Sequence, residues 1–309
     1  MKKILLTCDT EIGDRGIGLE NAFSILVNGD FGSRSVGINL MEDIADSYSA
    51  KITHFVDVYQ PLYQNEICRL CEKIKRRGHE IGLHTHPVSK YGKNYMYEYS
   101  FDEQCEIISF GRRLIEDVIG EKPIVHRAGS YGANNDTLRA LHSNGIYIDS
   151  SLYYGNSRCR IESDCVNEIC KINNVWEVPV TVYKTKGLIR QHYVKLDYKF
   201  GSNVDTIIEV LNKMNEDSTI VLFFHSFNFL NRYWDYRKKY FYKINIDDSA
   251  INKFERLLKY ISDRNDMQFT KFSDIKLGRC KNDIVDMGRN IDIRTWLNVL
   301  KVKVSGKGD

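Results

Sequence analysis

Five short apolar runs in this chain each stop at an ionisable side chain. Lys2 to Cys8 stops at Asp9, Ile81 to Leu83 at His84, Ile124 to His126 at Arg127, Ile146 to Ile148 at Asp149, and Thr219 to Phe224 at His225. Ile52 to Val58 and Gln268 to Phe272 read as two further strands, and Val175 to Val182 is strand-like but contains Pro179. Between these runs the apolar spacing is helical over 36–47, 63–77, 101–119, 136–143, 203–215 and 249–263. Gly78 and Gly120 stop two of these helices, and Asp102 is a candidate N-cap for the third. Strands alternating with helices of roughly 10–15 residues build a parallel sheet or barrel. Such folds gather the C-terminal strand ends on one face, where active sites lie. The expected fold class is therefore α/β, with the parallel sheet either open or closed into a barrel.

Residues 1–278 read as one domain, since no internal repeat or low-complexity linker divides them. Residues 279–309 read as a C-terminal extension. Its Ile291, Ile293, Trp296, Leu297, Val299 and Leu300 give it an apolar face and the potential to build a homo-oligomer. Net charge is +3 with both signs mixed, which argues against nucleic acid as a partner. No window approaches the ~18 apolar residues of a membrane span. The N-terminus has an apolar run too short for a signal peptide, so a cytoplasmic protein is expected. The eight cysteines show no disulfide-domain spacing. Cys68 and Cys71 form a Cys-x-x-Cys pair, but they sit in a charged helical run and are read as helix residues. The glycine-rich stretch 11–35 is read as a long loop, a kind of segment that is usually functional.

Three of the eight histidines fall within Gly78 to Pro87: His79, His84 and His86. Residues i and i+2 of an extended segment point to one side, so His84 and His86 can reach one point. Neutral imidazole is the commonest metal-binding side chain. His79 is assigned to a hydrogen bond within its turn and His54 to packing in mid-strand. His126 points away from Arg127 on the same strand and is read as structural.

In chain order these pieces resemble the polysaccharide deacetylases of carbohydrate esterase family 4, the NodB homology domain. Thr7-Cys8-Asp9-Thr10-Glu11 is similar to the first motif, Gly78 to His86 to the second, and Arg127 to Gly132 to the third. Gly145 to Ser151 is similar to the fourth motif, and Leu222-Phe223-Phe224-His225 to the fifth. The match runs from about residue 3 to about residue 276. Two departures stand out. Glu11 occupies the place of a second aspartate, with Asp14 as an alternative ligand. The family's usual second metal histidine falls on Val88, so His86 has to substitute for it.

The resemblance implies a distorted parallel (β/α) barrel of about seven strands, and an enzyme, a carbohydrate deacetylase acting on a carbon–nitrogen bond. It implies a divalent metal cofactor, expected to be zinc, held by Glu11, His84 and His86. Asp9 would be the general base with Arg127 holding it, and His225 the general acid with Asp149 orienting it. A backbone N–H near Ser130 or Tyr131 would face the oxyanion. The expected substrate is an acetylated amino sugar, nucleotide- or lipid-linked, in glycan biosynthesis. The alternatives are a hydrolase of a non-sugar amide and a non-catalytic glycan-binding relative. Residues 228–242, with one Trp and four Lys or Arg, read either as a loop meeting an anionic glycan or as an amphipathic surface segment.

Overall fold

The structure is a computed structural model that describes residues 1–186, 191–199, 203–278 and 284–290. The first strand, β1 (Lys2–Thr10), leads into a loop holding the short hairpin β2 (Asp30–Phe31) and β3 (Arg34–Ser35). Then follow α1 (Ile38–Ser47), β4 (Thr53–Asp57), α2 (Gln64–Arg76), β5 (Glu80–Thr85) and the single turn α3 (Val88–Tyr91). Next come α4 (Phe101–Ile119), β6 (Val125–Ala128), α5 (Asn135–Ser143) and β7 (Ile148–Asp149). The second half carries β8 (Cys170–Ile172), β9 (Val175–Glu177), β10 (Val182–Lys186), β11 (Gln191–Lys195), α6 (Val204–Lys213) and β12 (Thr219–His225). It ends with β13 (Leu230–Asp235), β14 (Tyr240–Ile246), α7 (Asp248–Ser262), β15 (Met267–Thr270) and β16 (Asp286–Asn290).

Nine strands form the main sheet, in the order β12-β1-β4-β5-β6-β7-β9-β8, with β15 also on β1. All pairings are parallel except β8 with β9. This is the expected α/β parallel architecture with two more strands than foreseen. Along its whole length β1 is flanked, by β12 on one side and by β15 and then β4 on the other. The irregular stretch around Thr181 and Asp197 covers the outer edge of β12. Val221 N–H donates to Thr181 Oγ1 at 2.9 Å, and Asp197 bridges Phe223. That closure by non-strand chain is the distortion of the barrel.

The helix ends follow local chemistry. Ser100, rather than Asp102, caps α4: its side chain accepts from Glu103 N–H while Glu103 reaches back to the Ser100 N–H. Gly120 closes the same helix at φ +74°. Cys68 and Cys71 lie in α2 as expected. Strand β9 stops at Glu177, ahead of Pro179, which has no N–H for a ladder. From the extension, β16 adds to β10 in a three-stranded sheet with β11. The apolar residues 291–300, and with them the oligomerisation expectation, lie outside the described residues.

Strand parity divides the core in two. Leu5, Phe55, Val125, Ile148, Val178 and Val221 cluster with Phe272 inside the barrel. Ile4, Leu6, Cys8, Val56, Leu83, Leu222 and Phe224 pack on the helices outside it. Side chains alternate along a strand, so every second residue from an interior position is also interior. Counting by twos from Leu5 reaches Asp9, from Phe55 reaches Asp57, from Val125 reaches Arg127 and from Val221 reaches His225. The same count puts His54, His126 and Asp149 on the outer face. There His54 Nδ1 lies 2.9 Å from Thr10 Oγ1, and Glu42, wholly buried, faces His54 and Arg77. His79 accepts the Ile52 N–H at 3.0 Å, so its hydrogen bond reaches the start of β4 instead of staying within its own turn.

Gly82 lies on β5 against the interior. A Cβ there would come within 2.8 Å of the Phe55 ring and 2.9 Å of Val125, both buried. Gly82→Ala is expected to destabilise the fold by about 1–3 kcal/mol through overpacking. Urea denaturation measures it, and an unchanged midpoint would contradict the packing described.

Candidate functional site

The interior strand ends converge. Arg127 is fully buried, and its Nη1 donates to Asp9 Oδ1 at 2.8 Å and to Thr7 Oγ1 at 3.2 Å. Its Nε and Nη2 donate to the carbonyl and hydroxyl of Ser150, both at 3.1 Å. The guanidinium carbon lies 4.0 Å from the centre of the Phe55 ring. A buried cation is tolerated when it is paired and hydrogen-bonded, and Arg127 has an ion-pair partner and an acceptor at each of its three nitrogens.

Beside Asp9 stand Glu11, His84 and His86. Glu11 Oε2 lies 2.6 Å from His86 Nε2 and 3.3 Å from His84 Nε2. His84 Nε2 is also 3.6 Å from Asp9 Oδ2. The two imidazole centres are 4.9 Å apart, as i, i+2 neighbours on one side of the chain allow. His84 Nδ1 lies 2.8 Å from the Arg127 carbonyl, an acceptor, so Nδ1 carries the proton. The lone pair of Nε2 then faces two carboxylates, and both His84 Nε2 and Glu11 Oε2 are buried without a hydrogen-bond partner. Electron pairs turned toward one point leave room for a cation to satisfy them. One donor atom from each of Glu11, His84 and His86 lies within 4.8 Å of the others, so these three could hold a divalent ion. The residues present fit a metal.

The charges respond accordingly. Burial opposes ionisation of Glu11, but His86 and His84 together hold its carboxyl well below the usual range. Burial also works against protonated His86, yet Glu11 and Asp14 raise that imidazole well above its ordinary value. Asp14 Oδ1 is 3.3 Å from His86 Nδ1, so Asp14 supports a ligand from behind. His225 Nε2 faces the cluster at 3.8 Å from Glu11 Oε1. Burial pushes its pKa down to about 4, with Lys195 adding to the fall and Glu11 and Asp9 opposing it. The ring of His225 stacks on Phe227 (4.7 Å, 17°), and Arg232 lies 3.5 Å from the centre of Phe227 on its way across the site.

Asp9, Glu11, His84, His86, Arg127 and His225 therefore meet at one place. Asp149 does not join them. Its Oδ1 is 2.6 Å from His126 Nδ1, and it accepts from the Ser151 N–H and hydroxyl, on the outer face of the sheet. The physical reason is parity: Ile148 points inside, so Asp149 points out. Sequence reading missed Asp57, interior and next to His84, with its oxygens taken by Tyr59 N–H and Gln60 Nε2. It also missed Lys195, Asp197 and Phe227. The alternation that exposes Asp57 is present in the sequence, whereas Lys195 and Asp197 sit in a stretch with no clear period.

No protein-family model matches the sequence, and no curated protein sequence matches it. Solved structures do. A candidate polysaccharide deacetylase from Mycobacterium smegmatis superposes with a TM-score of 0.58 at 16% identity, over 88% of this chain and 87% of that one. Another from Pseudomonas aeruginosa PAO1 gives 0.56 at 13% identity, over 88% and 89%. The chain has the polysaccharide deacetylase fold.

At Gly129, a Cβ would lie 2.6 Å from the His86 ring. Gly129→Ala and His86→Ala are each expected to weaken binding of one zinc or cobalt equivalent by at least about 10-fold. Isothermal titration with the metal alone reads this. Wild-type affinity in both variants would remove His86 from the ligand set.

Proposed function

We propose that this protein is a metal-dependent hydrolase that removes an N-acetyl or related acyl group from a carbohydrate. The observation that carries the reading is the convergence of the Asp9–Arg127 pair, the Glu11–His84–His86 cluster and His225 within one barrel mouth. A carboxylate base, a cation site and an imidazole on its far side are the parts that amide hydrolysis needs. A divalent ion, zinc by preference for this donor set, would polarise the acyl carbonyl and make a water more acidic.

The protein groups divide the remaining work. Arg127 holds Oδ1 of Asp9, which leaves Oδ2 turned to the cluster to accept a proton from the attacking water. His225 delivers a proton to the departing amine. Since burial keeps it neutral near neutral pH, that proton reaches it during the reaction rather than before. Phe227 on its flat face excludes water from the ring. A backbone N–H of the 129–131 turn is assigned to the oxyanion. Ser130 and Tyr131 there hold φ of +51° and +62°, a conformation that residues with a Cβ adopt at a cost and that clusters at functional sites.

The substrate is an acetylated amino sugar on a larger anionic carrier, nucleotide- or lipid-linked. The β13–β14 hairpin, with Arg232 over Phe227 and Arg15 against Trp234 and Tyr236, supports that reading by placing cations and rings at the mouth. All seven described cysteines are free, which agrees with a reducing, cytoplasmic location.

Asp9→Asn is expected to lower turnover of an N-acetylhexosamine substrate by about 10²–10⁴-fold while metal content is kept. A panel of acetylated sugars and small non-sugar amides, assayed by acetate release, checks it. Unchanged turnover would remove Asp9 as base. Turnover of amides alone would replace the carbohydrate, and glycan binding with no turnover at any metal would make the chain a binding relative.

A further inference from the structure

Asp149, the carboxylate expected to orient the His225 ring, is spent on His126. Another buried carboxylate lies close by. Asp197 is 1% exposed and bridges Phe223 in parallel register. Phe223 precedes His225 by two residues on β12, so the two share a face, and their rings meet at 4.7 Å and 87°. Two backbone bonds pin the contact: Phe223 N–H donates to the Leu196 carbonyl and Tyr198 N–H to the Phe223 carbonyl, both at 3.0 Å.

Lys195 fixes the carboxylate from the other side. Its Nζ is 3.1 Å from Asp197 Oδ2, donates to the Tyr131 hydroxyl at 3.0 Å, and lies 3.4 Å from the centre of the Phe223 ring. One ammonium thus ties together the turn after β6, the end of β11 and the last residues of β12. Burying a lysine is costly unless it is paired, and Asp197 pairs with this one.

We propose that Asp197, anchored by Lys195, is the carboxylate that orients the His225 imidazole, in the place the sequence offered to Asp149. Asp197 is a positioning residue: it acts through His225, and its catalytic consequence rests on the deacetylase reading above. With the ring held, the nitrogen facing Glu11 is the one presented to the leaving amine.

The test reads the imidazole directly. Nitrogen-15 resonances of His225 and His126 are recorded at one pH in wild type, Asp197→Asn and Asp149→Asn, with assignments from His225→Gln and His126→Gln. Asp197→Asn is expected to shift the His225 ring nitrogens and leave His126 in place, and Asp149→Asn to do the reverse. His225 unmoved in Asp197→Asn, or moved by Asp149→Asn, overturns the proposal. Should Asp197→Asn fail to fold, Lys195→Gln replaces it under the same criterion. On an N-acetyl sugar, Asp197→Asn is expected to lower kcat about 10²-fold with little change in KM. An aryl acetate, whose phenolate leaves without a proton, is expected to retain its rate. Equal losses on both substrates count against the proposal. Absence of any hydrolysis by the wild type defeats the function reading alone, because the resonances still decide the pairing.

Discussion

Arg127 lies without exposed surface between β1 and β7 and sets its charge against Asp9. The remaining donors are taken by Thr7 and Ser150, so the guanidinium crosslinks β1 to the residue just past β7. A buried pair of this kind is costly to assemble, because both ions leave water, yet removing one partner costs about 3–5 kcal/mol. Its effect is therefore less on overall stability than on placement. The Asp9 carboxylate is held where the fold puts it, and the Arg127 carbonyl in turn fixes the tautomer of His84. Asp9 and the cluster are thus set by opposite ends of one residue.

That residue's influence depends on the sheet around it. Flanked on both sides along its length, β1 cannot slip by one position without turning Asp9 outward and Leu6 and Cys8 into the barrel. On the outer face, Glu42, His54 and Arg77 brace the same strand through Thr10. Function at the mouth and order in the core are therefore the same constraint on β1.

Much of this was legible from residue order. Alternating apolar runs and helical periods announced a parallel architecture, and the residues ending those runs include four members of the cluster, with Glu11 and His86 two positions past Asp9 and His84. His84 and His86 were legible as a pair because the period of a strand is two. The same period, applied to Asp149 from its apolar neighbour Ile148, would have sent it outward; matching motifs in order hid what counting by twos reveals. Lys195 and Asp197 were illegible for another reason. They join the site through an irregular closure whose pairing with Phe223 is long-range and leaves no period in the chain. The β13–β14 hairpin escaped likewise, since its exposed Tyr233, Tyr240 and Tyr242 carry little apolar alternation.

The cation–ring contacts of Arg15 with Trp234 and Tyr236 have a mechanical consequence. They fasten the loop after β1 to the β13–β14 hairpin by contacts worth about 0.5–1 kcal/mol each at exposed positions. The floor, by contrast, is closed by a buried ion pair and nine hydrogen-bonded strands. Compliance is thus graded across the molecule: the rim yields to thermal energy while the floor does not. Parting the rim contacts breaks neither the Asp9–Arg127 pair nor a strand pairing of the sheet. Adaptation to the size of what enters and fidelity of what reacts are carried by different materials in one fold.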